Sequence, residues 1–178
     1  MPGMCRDCLG EVEPDLRRCR RCRSPRLFHH PELDLLAIAA HPDKGLAPVP
    51  GTNDHGIFLA WLCFMSSNIY PAINLAFHGR PLVESEAAFT MLGKGGEAQA
   101  NRLFDTVDER LGREGPYILG ESFSAADIYL FMLGLWAKPS ERALHERCRN
   151  IARVGAEVRR RPKLRATLEV HGVAEPQG

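Results

Sequence analysis

Residues 117–130 read Tyr-Ile-Leu-Gly-Glu-Ser-Phe-Ser-Ala-Ala-Asp-Ile-Tyr-Leu, and this stretch decides the fold. Ser124 and Asp127 stand three positions apart, just ahead of an apolar run that reaches Trp136. That is the spacing of a capping box. Ser124 at the N-cap and Asp127 at N3 each offer an acceptor to a backbone N–H that no preceding turn can satisfy. Phe123 before the cap and Ile128 at N4 are placed to form a hydrophobic staple. From Ile128 to Trp136 the chain is apolar nearly all round, which predicts a helix in the core of a bundle.

Working outward, the neighbouring segments also read as helices. Ala100, Leu103, Phe104, Val107 and Leu111 recur at helical spacing, with Arg102, Asp105, Glu109 and Arg110 on the other side. The pattern predicts an amphipathic helix over about 97–113, followed by a loop to Phe123. Pro139 and Pro162 mark the starts of two more helices, about 141–160 and 163–170. Another is expected over about 56–77, bent at Pro71, whose ring and missing N–H disturb the turn before it. No alternating strand pattern occurs after residue 56, so this part is expected to be all-α. Between Pro42 and Pro50 three prolines point to a linker.

From Ile57 to Phe77 no residue is charged, and 21 residues would suffice to span a bilayer. Ser66, Ser67, Asn68, Pro71 and Asn74 in its middle are costly to face toward lipid. The expectation is a central bundle helix buried on most sides, and no membrane partner. Hydrophobic residues at 44%, charged residues at 25% and a net charge of +1 describe an ordinary globular chain of 178 residues, not a protein coated to bind polyanions throughout.

The cysteines are unevenly placed. Cys5, Cys8, Cys19 and Cys22 form two Cys-x-x-Cys pairs separated by ten residues. The N-terminus has no apolar secretory core, so a cytoplasmic chain is expected, and paired knuckles there read as metal ligands more readily than as disulfides. Four thiolates close the tetrahedral shell of a structural Zn²⁺ and leave no position for a catalytic water, the alternatives being a rubredoxin-type iron site or a reduced, metal-free tail. Cys63 and Cys148 stand alone and are expected to be small buried hydrophobes. Residues 1–30 carry seven arginines against four acids. The edge with Arg17, Arg18, Arg20 and Arg21 suits a weak nucleic-acid contact, or a solvated face.

Two resemblances cover most of the chain. The cysteine knuckles, Arg-Arg-Cys-Arg-Arg-Cys-Arg-Ser-Pro-Arg-Leu, and the segment His30 to Ala39 resemble the zinc-knuckle leader of certain bacterial Y-family DNA polymerases of the polymerase IV type. The match ends at Ala39. The carboxylates that would hold Mg²⁺ for phosphoryl transfer do not follow, so polymerase activity is excluded. From about residue 40 to 172 the chain resembles the C-terminal, all-helical domain of bacterial glutathione S-transferases. The motifs are Trp61-Leu-x-Phe64 with Tyr70-Pro-Ala, the segment Tyr117 to Leu130, and Arg161-Pro162-Lys-Leu-Arg165.

The second resemblance implies a wall for an electrophile built from Trp61, Phe64, Met65, Asn68 and Tyr70, with Ser124 and Asp127 as a structural cap. It makes glutathione a possible ligand. In that family a thioredoxin-like half activates the glutathione thiol, and the segment before the linker is too short to supply one. Pro81-Leu-Val-Glu84-Ser85 imitates part of that half in a helical context and is read as coincidence. No catalytic residue is assigned.

The expected organisation is a four-cysteine zinc-knuckle segment at 1–30, a linker at 31–56, a glutathione S-transferase C-terminal-like bundle at 57–172 and a tail at 173–178. The function implied is that of a transferase-like protein with low or absent activity. The alternatives are a zinc-knuckle adaptor contacting protein or nucleic acid, and a chimeric reading frame joined at Ala39–Ala40. A homodimer, or a partner supplying the missing domain, would cover the exposed face of the bundle.

Overall fold

The protein is described by a computed structural model, which covers residues 42–176 and, for backbone only, residues 3–5, 11–12 and 27–28. The chain divides into two compact units, Met1–Ala47 and Pro48–Gly178. Their junction falls within the expected linker.

In the first unit β1 (Gly3–Cys5) lies between β2 (Glu11–Val12) and β3 (Leu27–Phe28), and both pairings are antiparallel. Met4 faces Glu11 on one side and Phe28 on the other, and Cys5 is in register with Leu27. Strands this short are below the length at which alternation can be read from a sequence. The all-α description therefore applies to the second unit.

That unit is helical among the described residues. α1 (Asn53–Phe64) continues through one π-helical turn, Met65–Ile69, into α2 (Tyr70–His78). The π turn ends two residues before Pro71. There the Ser66 and Ser67 hydroxyls donate to the Cys63 carbonyl at 3.2 and 2.5 Å, and Asn68 Nδ2 donates to the Phe64 carbonyl at 3.0 Å. Local side chains thus give the Cys63 and Phe64 carbonyls extra donors where the helical ladder changes register.

α3 runs Glu86–Glu114, starting eleven residues earlier than its apolar pattern suggests. Gly93, Gly95 and Gly96 read as helix breakers, but Gly96 is where α3 meets α2. A Cβ there would come within 2.7 Å of both the Ala72 carbonyl and the Ala76 nitrogen. Ser85 caps the helix by accepting from the Ala88 N–H, so the Glu84-Ser85 pair serves a helix start.

α4 (Ala125–Gly134) carries the capping box, with Asp127, Leu130 and Leu133 fully buried. The single helix expected over 141–160 is two, α5 (Glu141–Arg147) and α6 (Arg149–Arg159), broken at Cys148. No Gly or Pro marks that break. Its cause lies on α3, where Asp108 Oδ1 accepts from the Asn150 and Ile151 N–H groups at 2.8 and 2.9 Å and caps α6 from outside. α7 (Pro162–Val170) closes the unit.

The core gathers Phe58, Met65, Ile69, Ile73, Phe104, Val107, Leu111, Leu130, Leu133, Leu144, Ile151 and Val154. Two expectations need correction. The helix over Asn53–His78 is long and apolar enough to cross a membrane, yet only 28% of its most apolar window is buried, so it is not enclosed on most sides. Cys63, expected inside, is exposed on it. Cys148 is buried as expected, and burial pushes its thiol up to about 11.

Candidate functional site

The five wall residues fall on the continuous α1–π–α2 helix, and the structure separates them. Trp61 and Phe64 pack edge to face, with ring centroids 5.3 Å apart. Asn68 is exposed, its amide N–H groups given to the Phe64 carbonyl and the Ser67 hydroxyl. Tyr70 is half-buried beside Trp136, at 6.2 Å between centroids, near the end of α4. Met65 has no exposed surface, so it is core packing and not part of an accessible wall. The cause is the helix register, since Met65 points inward with Phe58 and Ile69.

At the margin of the Trp61–Phe64 pair stands Arg110 of α3, its guanidinium 5.8 Å from the Trp61 ring centroid. The amphipathic pattern assigns Arg110 to the solvent side, but its side chain is only 18% exposed. It pairs with Glu114, while Nε is buried without a partner. Burial, with Arg113 nearby, lowers its pKa. Further along α2, Lys138 lies over the Phe77 ring at 4.2 Å and donates to the Ala76 carbonyl at 3.3 Å. Nothing in the sequence placed Arg110, Trp136 or Lys138 against this helix, because each arrives from an element distant in the chain. Chemically the Trp61–Phe64 pair is an aromatic, uncharged patch with one cation, Arg110, at its edge. It suits binding of an apolar group better than acid–base work.

The cap at Ser124 and Asp127 is more elaborate than its local motif. Asp127 Oδ2 accepts from the Ser124 N–H at 2.8 Å and its hydroxyl at 3.1 Å, and Oδ1 accepts from the Ile118 N–H at 2.9 Å. One carboxylate therefore ties the 115–123 loop to the start of α4. Burial raises the Asp127 pKa, opposed by these hydrogen bonds. Phe123 stacks edge to face on Tyr117 and lies 3.4 Å under the Arg161 guanidinium, linking the loop to the start of α7.

Of the four proposed metal ligands, Cys5 ends β1, while Cys8, Cys19 and Cys22 lie outside the described residues. The same holds for Arg17, Arg18, Arg20 and Arg21. Among the described residues no group of three or more His, Cys, Asp or Glu is placed to hold a metal.

Residues 86–166 match the family model for the glutathione S-transferase, C-terminal domain. The helical unit has the glutathione S-transferase C-terminal fold. A glutathione transferase homologue from Sulfitobacter with bound glutathione superposes with a TM-score of 0.68 at 21% identity, over 83% of this chain and 77% of that one. BphK, a bacterial glutathione S-transferase solved as a ternary complex, gives 0.66 at 22% identity over 83% and 70%. Among curated sequences, the GST-like protein YncG of Escherichia coli is 27% identical over 135 residues, 76% of this chain and 63% of that protein. DNA polymerase IV 1 of Mesorhizobium japonicum is 57% identical over 37 residues, 21% of this chain and 8% of the polymerase. The chain thus spans less than two thirds of either curated relative. The polymerase likeness rests on that short stretch alone.

Proposed function

We propose that this chain is a glutathione S-transferase-like protein whose helical unit supplies the wall for an apolar electrophile and which turns over little by itself. The observation that carries this reading is the fit of 83% of the chain, at a TM-score of 0.68, to a transferase homologue holding glutathione. Trp61 and Phe64 would face the electrophile, with Arg110 at its edge. In the transferases the thiol-activating group sits on a thioredoxin-like half, and the first 47 residues form a unit of their own whose likeness is to a polymerase leader. That supports a low rate. Exposed Leu59, Phe77, Leu82 and Met91 favour a second copy or a partner domain docked along α1, α2 and the start of α3. The test is retention on glutathione-agarose together with conjugation of chlorodinitrobenzene. We expect weak retention and slow turnover. Rates typical of an intact transferase would show that the chain activates the thiol itself.

Cys5, Cys8, Cys19 and Cys22 are further proposed to hold one structural Zn²⁺. Their spacing supports this, and so does the strand register. Pairing Cys5 with Leu27 antiparallel sets the end of β1 and the start of β3 at one end of the sheet. Cys8 follows β1 by three residues and Cys22 precedes β3 by five. Metal analysis should give about one equivalent of zinc, lost on Cys19→Ser. Less than about half an equivalent in the native chain would count against the site.

A further inference from the structure

The last three helices carry a charge imbalance that the candidate site does not use. Residues 141–170 hold eight arginines and one lysine against four acids, a net +5 in a chain whose total is +1. Such a concentration on packed helices raises the local potential and draws anions. The surface there is also concave. α5, α6, α7 and residues 174–176 frame two adjoining hollows, open to solvent, of about 490 and 600 Å³, which share His145, Ala152, Glu175 and Pro176.

The frame is held by buried chemistry. Glu141, 1% exposed, accepts Arg159 Nη2 at 2.7 and 2.9 Å, and Arg159 Nε donates to the Val173 carbonyl at 3.2 Å. Gly172 at φ 68° ends α7 so that the Val173 N–H returns to the Leu168 carbonyl at 2.9 Å. This glycine closure directs residues 174–176 over the cavities.

Arg142 and Arg149 line one cavity and make no ion pair among the described residues. Arg160 and Arg165 line the other. Their pairs with Glu157 and Glu169 are solvent-exposed, and pairs of that kind exchange readily for a better acceptor. Glu146 and Glu175 stand on the wall with Arg142 and Arg149, two acids beside two arginines, and the arginine excess comes from Arg159, Arg160 and Arg165 of the adjoining wall.

We propose that this cleft binds a small, multiply charged phosphate ligand, with Arg142 and Arg149 as its main donors and Arg160 and Arg165 on the facing wall. A guanidinium presents two N–H groups in the geometry of two phosphate oxygens, which a point charge does not. The volumes are those of small-molecule sites, which favours a compact ligand over a nucleic-acid strand.

Calorimetric titration of the full chain with inorganic tripolyphosphate tests this, beside a single-stranded oligonucleotide. One saturable tripolyphosphate site is expected. The double variant Arg142→Ala/Arg149→Ala should weaken it by about 10-fold or more, from the loss of charge-assisted hydrogen bonds. Lys94→Ala/Arg102→Ala removes the same charge from exposed positions on α3 and should leave the affinity nearly unchanged. Equal weakening in both variants, or no saturable heat, would overturn the proposal. So would an oligonucleotide that binds through Arg142 and Arg149 more tightly than tripolyphosphate. Circular dichroism of each variant separates loss of ligand from loss of fold.

Discussion

Asp127 shows how much one side chain can hold together. Its carboxylate takes three hydrogen bonds, from Ser124 twice and from Ile118, and the backbones it satisfies are themselves buried. Asp127→Ala would strand the N–H groups of Ile118 and Ser124 away from water. The cost should be on the order of 2–4 kcal/mol, more than the roughly 1 kcal/mol of an ordinary exposed cap. Asp127→Asn should recover only part of it, because an amide turns one donor toward Ser124. Denaturant melts of both variants check this, and a loss no larger than that of a surface substitution would contradict the three-bond role. The local half of this device is legible in the sequence as Ser124-x-x-Asp127. The bond to Ile118 is not, because it crosses a loop whose path depends on Gly115 and Gly120 adopting φ of 134° and 72°.

At the scale of elements, α3 shows why helix type is easier to read than helix extent. Its apolar residues from Ala100 onward announce a helix, and Ala100, Phe104, Val107 and Leu111 are buried. Leu103 is only half-buried. The first turns are hidden because glycine lowers intrinsic helix propensity, yet Gly96 is required for close approach to α2. Adjacent substitutions distinguish these roles. Gly95 has open space around its Cβ position, whereas Gly96 faces backbone atoms at 2.7 Å. Gly95→Ala should therefore raise stability by roughly 0.5–1 kcal/mol, and Gly96→Ala should lower it by about 1–3 kcal/mol. Thermal melts of the two variants should move in opposite directions. The break at Cys148 teaches the converse. Residues 141–160 favour one continuous helix, and Asp108, some 40 residues upstream, supplies the acceptor that makes two helices stable.

For the whole molecule, the buried Glu141–Arg159 pair joins α5, α6 and the segment after α7, with His145 Nε2 3.5 Å from Glu141. Burial lowers the His145 pKa below 6.5, Glu141 opposes that shift, and Arg159 adds to it. A histidine whose folded pKa is depressed binds its proton more readily when unfolded. Its contribution is thus intact above about pH 6.5 and is lost as the pH falls from there toward the folded value. Between pH 7.5 and 5.5 the native chain should lose more melting temperature than His145→Gln does. Equal losses would remove His145 from the acid response. The sequence by itself determined the helical class of the second unit, its cap and most of its core face. Those features depend on spacing within a few residues, where periodicity and capping act. Only the tertiary structure decided the extent of α3, the break at Cys148, the inward turn of Met65 and Arg110, and the gathering of arginines around one cleft. These depend on which distant element supplies an acceptor, a close backbone or a wall, and no local pattern carries that information.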